Sequence, residues 1–341
     1  MAKNLFKKAA VFTDIHFGLK SNSKVHNDDC ERFVDWYIEQ AKANGCDVGI
    51  FTGDWHHNRS ALNLTTMDAS LRSLEKLGAA FDEFYFFPGN HDLYYKDKRE
   101  IHSVVFGKHV PGVTVVNEPQ VIGDVALVPW LVGDEWKNVV KMKCRYMFGH
   151  FELPHFKMNA MVEMPDTGEV KADDFKNQEL VFTGHFHKRQ NNRNIHYIGN
   201  AFPHNYADAW DDERGMMILE WGGQPEYLNW SDCPKYRTVK LSNLLDNTES
   251  ILKPNNLYLR VTLDIDISYE EATFIKENFS KQYDIREISL LPDTEDVDDA
   301  LTIERGETEF ESVDQIVTDQ ITKIQSEQYR PNILLDIYRN L

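Results

Sequence analysis

Residues 46–57, CDVGIFTGDWHH, pass from a short apolar run through Thr-Gly into an acid, a Trp and two histidines. Val48, Ile50 and Phe51 have the composition of a buried strand, and Gly53 lets the chain turn at its end, so Asp54 is expected at a strand tip. The same grammar recurs along the chain. AAVFTDIH (9–16) ends in Asp14 and His16, EFYFFPGNHD (83–92) in Asn90 and His91, CRYMFGH (144–150) in His150, and ELVFTGHFH (179–187) in His185 and His187. Helical patterns separate the first three strands. DDCERFVDWYIEQAKANG (28–45) puts Phe33, Val34, Tyr37, Ile38 and Ala41 on one face and stops at Gly45, and TTMDASLRSLEKLG (65–78) is a second helix. Strand–helix–strand order predicts a parallel sheet layered by helices. The later strands NIHYIGN (194–200) and GMMILEW (215–221) have shorter connections, which predicts a mixed or a two-sheet α/β sandwich.

Composition bounds the rest. A chain of 341 residues has room for two domains and a sizeable core, and 42% hydrophobic with 27% charged residues is ordinary for a globular protein. The basic start MAKNLFKKAAVF is followed by too short an apolar run for a signal peptide, and no stretch nears the ~18 apolar residues of a membrane span. Cys30, Cys46, Cys144 and Cys233 are scattered without a C-x-x-C pair, which argues for a reducing compartment and a cytoplasmic location. The formal net charge is −18, yet residues 291–320 hold eleven acids and one Arg, so −10 falls there and −8 on everything else. Basic clusters also occur at 137–145 (KNVVKMKCR) and 187–193 (HKRQNNR). The charge therefore describes one segment, and it neither supports nor excludes a DNA partner.

The texture changes near residue 235. LYLRVTLDIDIS (257–268), YEEATFIKENFSKQ (269–282) and YDIREISLLP (283–292) predict a small β-α-β module. Beyond the acidic segment, Val313, Ile316, Val317, Ile321 and Ile324 share a helical face, and NILLDIYRNL (332–341) closes the chain. A stretch too acidic to build a core, ending in apolar helical faces, is expected to act as a tether that docks on another protein's helices, the alternative being that these helices pack on their own chain. Expected boundaries are 1–234, 235–300 and 301–341.

In an open α/β sheet ligands bind outside the carboxyl ends of the strands, so the five tips are expected to converge. Two carboxylates, an amide oxygen and several imidazoles suit two divalent transition ions such as Mn²⁺ better than Ca²⁺. Asp14 and His16, two apart on a strand, are expected to point to one face, as are His185 and His187. Taken singly, D-x-H is commonly a surface pair, G-N-H a turn and G-H-x-H a solvated loop. The ordered set of five points to chemistry.

That set, D-x-H, G-D, G-N-H-D, H and G-H-x-H over about residues 8–220, resembles the calcineurin-like metallophosphoesterase superfamily. With the module after 235 and the apolar C-terminus, the chain resembles the SbcD-type DNA nuclease subunits, in particular those of phage recombination endonucleases. The resemblance implies a four-layer α/β sandwich of mixed sheets flanked by helices. The segment 1–234 would be the nuclease domain, 235–300 a small α+β capping domain facing DNA, and 301–341 an acidic tether with C-terminal helices. It further implies that Asp14, His16 and His187 hold one metal and Asn90, His150 and His185 a second, with Asp54 bridging. Mn²⁺ is the expected ion and Mg²⁺ the alternative. His91 would act on the scissile phosphate as a catalytic residue, with Asp92 orienting its ring, and His57 would bind substrate nearby. His56 is expected in a loop, and His26, His102, His109, His155, His196 and His204 at the surface or satisfied in the core. Implied partners are DNA and an SbcC-type coiled-coil ATPase, two copies of each chain forming a heterotetramer away from any membrane; the chain lacks a GxxxxGK[ST] loop, so ATP dependence would belong to that partner. The same motifs also fit an enzyme of phosphoproteins or small phosphodiesters, for which Arg59 is the nearby dianion-gripping candidate, or a non-catalytic scaffold, on which intact ligands would be wasted.

Overall fold

The computed structural model of the chain describes residues 4–158, 162–166 and 170–292. Strand β1 (Lys8–Phe12) leads to helix α1 (Lys24–Ala43), β2 (Val48–Phe51), α2 (Leu64–Ala80) and β3 (Glu83–Phe86). Each helix is started by a side chain that accepts an otherwise orphaned backbone N–H, Ser23 from His26 and Asn63 from Thr65. A hairpin follows, β4 (Leu93–Tyr95) and β5 (Lys98–His102), then β6 (Val113–Val115). In order come β7 (Gln120–Ile122), β8 (Val125–Val128), β9 (Tyr146–His150), β10 (Leu180–Gly184), β11 (Gln190–Asn192), β12 (Ile195–Tyr197), β13 (Gly215–Glu220) and β14 (Glu226–Asn229).

Apart from the β4–β5 hairpin, these strands build two six-stranded sheets. The first has the order β14-β13-β1-β2-β3-β6, with β1, β2, β3 and β6 parallel and β13 antiparallel to both neighbours. The second has the order β11-β12-β10-β9-β8-β7, parallel except for its two edges.

Strand alternation explains the layers. Along β1, Ala10 and Phe12 face the α1–α2 layer, packing with Phe33, Tyr37, Leu74 and Leu77. Ala9 and Val11 face the other way, toward Val125, Leu127, Phe148 and Phe182 of the second sheet. The outer face of that sheet, Val128, Met147 and Val181, is covered by Val139 of a one-turn helix (Trp136–Val139), Phe175 of a 3-10 turn and the loop residues Phe151 and Phe156. Both faces of the central strands are thus buried, which is why those strands read as continuous apolar runs. This is the mixed, helix-flanked sandwich expected from the sequence, with a thin fourth layer.

A third sheet joins β15 (Lys235–Lys240), β16 (Leu257–Leu263) and β17 (Ile285–Pro292), with α3 (Tyr269–Gln282) between the last two. Ser268 and Glu271 form a reciprocal cap at the start of α3. Val239, Leu244, Leu252, Leu259 and Ile288 give this sheet its own apolar cluster. Its contact with the sandwich includes Arg286, which pairs with Asp29 of α1 through two nitrogens at 2.5 and 2.9 Å. The expected tether and C-terminal helices lie outside the described residues. No helix among those described is long and apolar enough to cross a membrane.

Candidate metal centre

The tips of β1, β2, β3, β9 and β10 meet, and backbone hydrogen bonds lock the first two together: Asp14 N–H donates to Gly53 O at 3.0 Å and His16 N–H to Asp54 O at 3.1 Å. The second sheet is tied in by the His150 ring, whose Nδ1–H donates to Thr52 O at 2.7 Å. The Asp14 carboxylate accepts the N–H of His185 at 3.1 Å. Space for these contacts depends on glycines, among them Gly53, Gly89 and Gly184. A Cβ on Gly53 (φ +110°) would stand 2.5 Å from His150 Nδ1, and one on Gly89 would stand 2.1 Å from Asp54 Oδ1.

Strand alternation does not aim these side chains, contrary to the expectation that each pair points to one face. β1 ends at Phe12 and β10 at Gly184, before the residues in question. Asp14, His16, Asp54 and His185 all have positive φ (50°, 54°, 63° and 88°). Left-handed backbone at four non-glycine positions is costly and clusters at functional sites. It is these turns that aim the side chains, and they send His185 and His187 to different groups.

Asp54 stands between those groups. Its Oδ2 lies 3.6 Å from His16 Nε2 and 3.5 Å from His150 Nε2. On one side Asp14, His16 and Asp54 present mutually close donor atoms; on the other, Asp54, His150 and His185 do. Asn90 Oδ1 joins the second group, 3.0 Å from both His150 Nε2 and His185 Nδ1. His187 Nε2 is 4.0 Å from Asp14 Oδ1, on the first side. All seven residues expected as ligands are therefore brought together.

His91 and His57 stand beside the first group, their rings stacked at 5.3 Å and 4.9 and 5.5 Å from the ring of His16. His91 Nδ1–H donates to the backbone carbonyl of His57 at 3.0 Å, leaving Nε2 as the ring nitrogen free to meet a ligand. Asp92 does not orient His91. It is fully buried, with Oδ2 accepting the N–H groups of Asp54, Trp55 and Gly89 and Oδ1 that of His56, so it clamps the β2 and β3 tips. His56 does lie in the β2–α2 connection, but it is buried there, with its ring nitrogens bonded to Ser103 and Ser70 at 2.9 and 3.0 Å.

Two further residues join the centre. Glu152, two positions after His150, lies 3.4 Å from His185 Nε2, the carboxylate–imidazole arrangement that fixes which nitrogen a ligand can take. His204 packs against His16 and His187 with donor atoms close enough to share one ion. The spacing of HFE at 150–152 offered a weak signal for the first. Nothing local in NAFPHN marks the second.

Electrostatics fit a cation. Burial opposes ionisation of Asp54, yet the imidazoles of His150, His91 and His16 together hold its carboxyl well below the usual range. Burial likewise opposes protonation of His150, and the Asp54 and Asp14 carboxylates overcome it, pushing that ring up to about 9. Burial drives His16 well below its ordinary value. Its two ring nitrogens have no hydrogen-bond partner although the residue is 2% exposed. An unpartnered buried imidazole among ionised carboxylates is costly unless a positive centre completes it, so the donor set suits divalent metal ions.

Residues 7–219 match the calcineurin-like phosphoesterases. The chain belongs to that family. This phosphoesterase is 25% identical over 216 residues to exonuclease subunit 1 of Enterobacteria phage T4, a match spanning 61% of this chain and 62% of the relative. Among solved structures, TT1561 of Thermus thermophilus is 11% identical with a TM-score of 0.40, over 66% of this chain and 99% of that one. Nuclease MPE of Pseudomonas putida is 18% identical with a TM-score of 0.28, over 52% and 61%.

Proposed function

We propose that this phosphoesterase is a DNA nuclease subunit that hydrolyses phosphodiester bonds with two divalent ions, Mn²⁺ ahead of Mg²⁺, in partnership with a coiled-coil ATPase. The observation that carries the reading is the position of Asp54, with one carboxylate oxygen within 3.6 Å of imidazoles of both groups. Asp14, His16, His187 and Asp54 would hold the first ion, and Asp54, Asn90, His150 and His185 the second. Divalent ions in those positions supply charge neutralisation and Lewis-acid polarisation for phosphate-ester hydrolysis.

The chain's own groups do the rest. His150 spends Nδ1–H on Thr52 O, which turns Nε2 toward the centre. Glu152 does the corresponding work for His185. His91, with Nδ1–H spent on His57 O, offers Nε2 to a phosphate or leaving-group oxygen, where it stabilises developing charge or delivers a proton. His57, whose ring stacks on that of His91, is assigned to substrate binding beside it. The likeness to a phage exonuclease subunit favours DNA as substrate and a second subunit as partner. We assign residues 1–234 to the nuclease domain, 235–300 to a wall of the DNA groove and the C-terminal segment to the ATPase. A nuclease assay on the purified protein with Mn²⁺ tests the reading, on single-stranded and duplex DNA and beside phosphopeptide and small-phosphodiester substrates. Metal-dependent DNA cleavage is the expected result, and exclusive activity on the other substrates would overturn it.

A further inference from the structure

His204 lies in the segment between β12 and β13, outside every strand-tip motif, yet it reaches the first ion's group. It is 1% exposed, and neither ring nitrogen has a hydrogen-bond partner. Its ring centroid is 5.4 Å from that of His16 and 5.3 Å from that of His187, nearly perpendicular to both. Donor atoms of the three imidazoles lie within 4.8 Å of one another, a span that one ion could bridge.

The surroundings offer the ring nothing else. Phe202 packs on it at 5.1 Å. His26 packs at 5.5 Å, but its Nε2–H already donates to His16 O at 3.0 Å. A buried imidazole with both nitrogens orphaned is destabilising unless something completes it.

The backbone that carries His204 is built to hold it there. Asn200 N–H donates to His187 O at 3.0 Å and Ala201 N–H to Asp14 O at 3.4 Å, so the segment starts bonded to two residues of the centre. Farther on, Asp208 Oδ2 accepts the N–H of His204 at 2.8 Å. Arg214, 1% exposed, grips Asn200 Oδ1 at 2.6 Å and the Asp211 carboxylate at 2.7 and 2.8 Å. The segment is thus held on both sides of His204 by the centre and by a buried ionic network.

We infer that His204 is an additional ligand of the first ion, joining Asp14, His16, Asp54 and His187. This rests on the two-ion reading above and gives the first position three imidazoles against two at the second. More imidazole character favours Mn²⁺, Co²⁺ or Zn²⁺ over Mg²⁺ at that position, so the two sites differ in selectivity.

The test uses the full chain and metal ions alone. Isothermal titration with Mn²⁺ is expected to show two sites in the wild type. In His204→Ala and in the volume-keeping His204→Phe, one site should weaken roughly ten- to hundredfold or more, with the second unchanged. Asn90→Ala should weaken the other site instead. Co²⁺ absorption bands of the wild type should change on loss of His204, and on the wild type itself the His204 ring ¹⁵N resonances should shift when Zn²⁺ is added. Two sites of wild-type affinity and an unchanged Co²⁺ spectrum in a folded His204 variant, or His204 resonances unmoved by Zn²⁺, would overturn the inference and leave the two-ion reading standing. A wild type that binds no ions would overturn both.

Discussion

Asp92 Oδ2 accepts the backbone N–H of Asp54 at 3.0 Å, and the same carboxylate also receives the N–H groups of Trp55, His56 and Gly89. One buried acid thereby holds the β2 and β3 tips in the geometry that aims Asp54 at both groups. Its burial, and Asp54 beside it, push the carboxyl up to about 6. Asp92→Asn would turn an NH₂ group toward backbone donors. The expected loss is about 2–3 kcal/mol of stability, read as a lowered Tm, together with weaker Mn²⁺ binding. Wild-type Tm and metal affinity in the variant would show that the clamp is dispensable.

Asp54→Asn tests the shared position itself. It removes a charge from both groups, so cleavage should be abolished, and metal content by mass spectrometry should fall below two ions. Loss of a ligand serving a single group, as in His187→Ala, should cost less. Two tightly bound Mn²⁺ with normal turnover in Asp54→Asn would remove the bridging role.

His91→Ser separates chemistry from binding. Because His91 contacts the centre through a ring held by His57 O, its loss should lower kcat roughly a hundredfold or more, with both ions and DNA affinity nearly intact. An unchanged kcat would exclude His91 from the reaction.

His102, 6% exposed on β5, gives a pH prediction away from the centre. Burial, with Lys108 and Arg99 adding to it, lowers its ring to about 4. The unfolded chain, with an ordinary histidine near 6.5, takes up the proton first as pH falls. Stability present above pH 6.5 is therefore lost as pH falls toward 4, by at most about 2 kcal/mol between pH 7.5 and 5. Denaturant melts of His102→Gln across that range should slope less steeply than the wild type. Parallel slopes would assign the acid sensitivity to other groups.

The C-terminal assignment is tested by truncation. A chain ending near residue 305 should fold, bind Mn²⁺ and cleave single-stranded DNA, while losing co-purification with its ATPase partner and ATP-stimulated duplex cleavage. Retention of the complex at full affinity would show that the apolar helical faces pack within this chain.

Much of this protein is legible along the chain because it depends on near neighbours. Apolar runs closed by Gly-Asp, Gly-Asn-His or Gly-His identify the strand tips, and the 3.6-residue spacing of Phe33, Val34, Tyr37 and Ala41 identifies α1. The short strands β7, β8 and β11 have too few residues to show a period. What only the tertiary structure decided concerns partners far apart in sequence. His185 N–H finds the Asp14 carboxylate across 171 positions, and His150 finds Thr52 O across 98. Asp92 looks from its neighbours like an orienter of His91, but becomes a clamp because four backbone N–H groups, three from another strand's tip, had to be satisfied away from water. No neighbour of His56 or of His204 announces its role, and their fates diverge by packing. The fold gives one two serine hydroxyls and leaves the other facing two imidazoles. Burial removes the water that would satisfy any histidine, so its role is set by whichever polar atoms the fold delivers, and no local pattern specifies those.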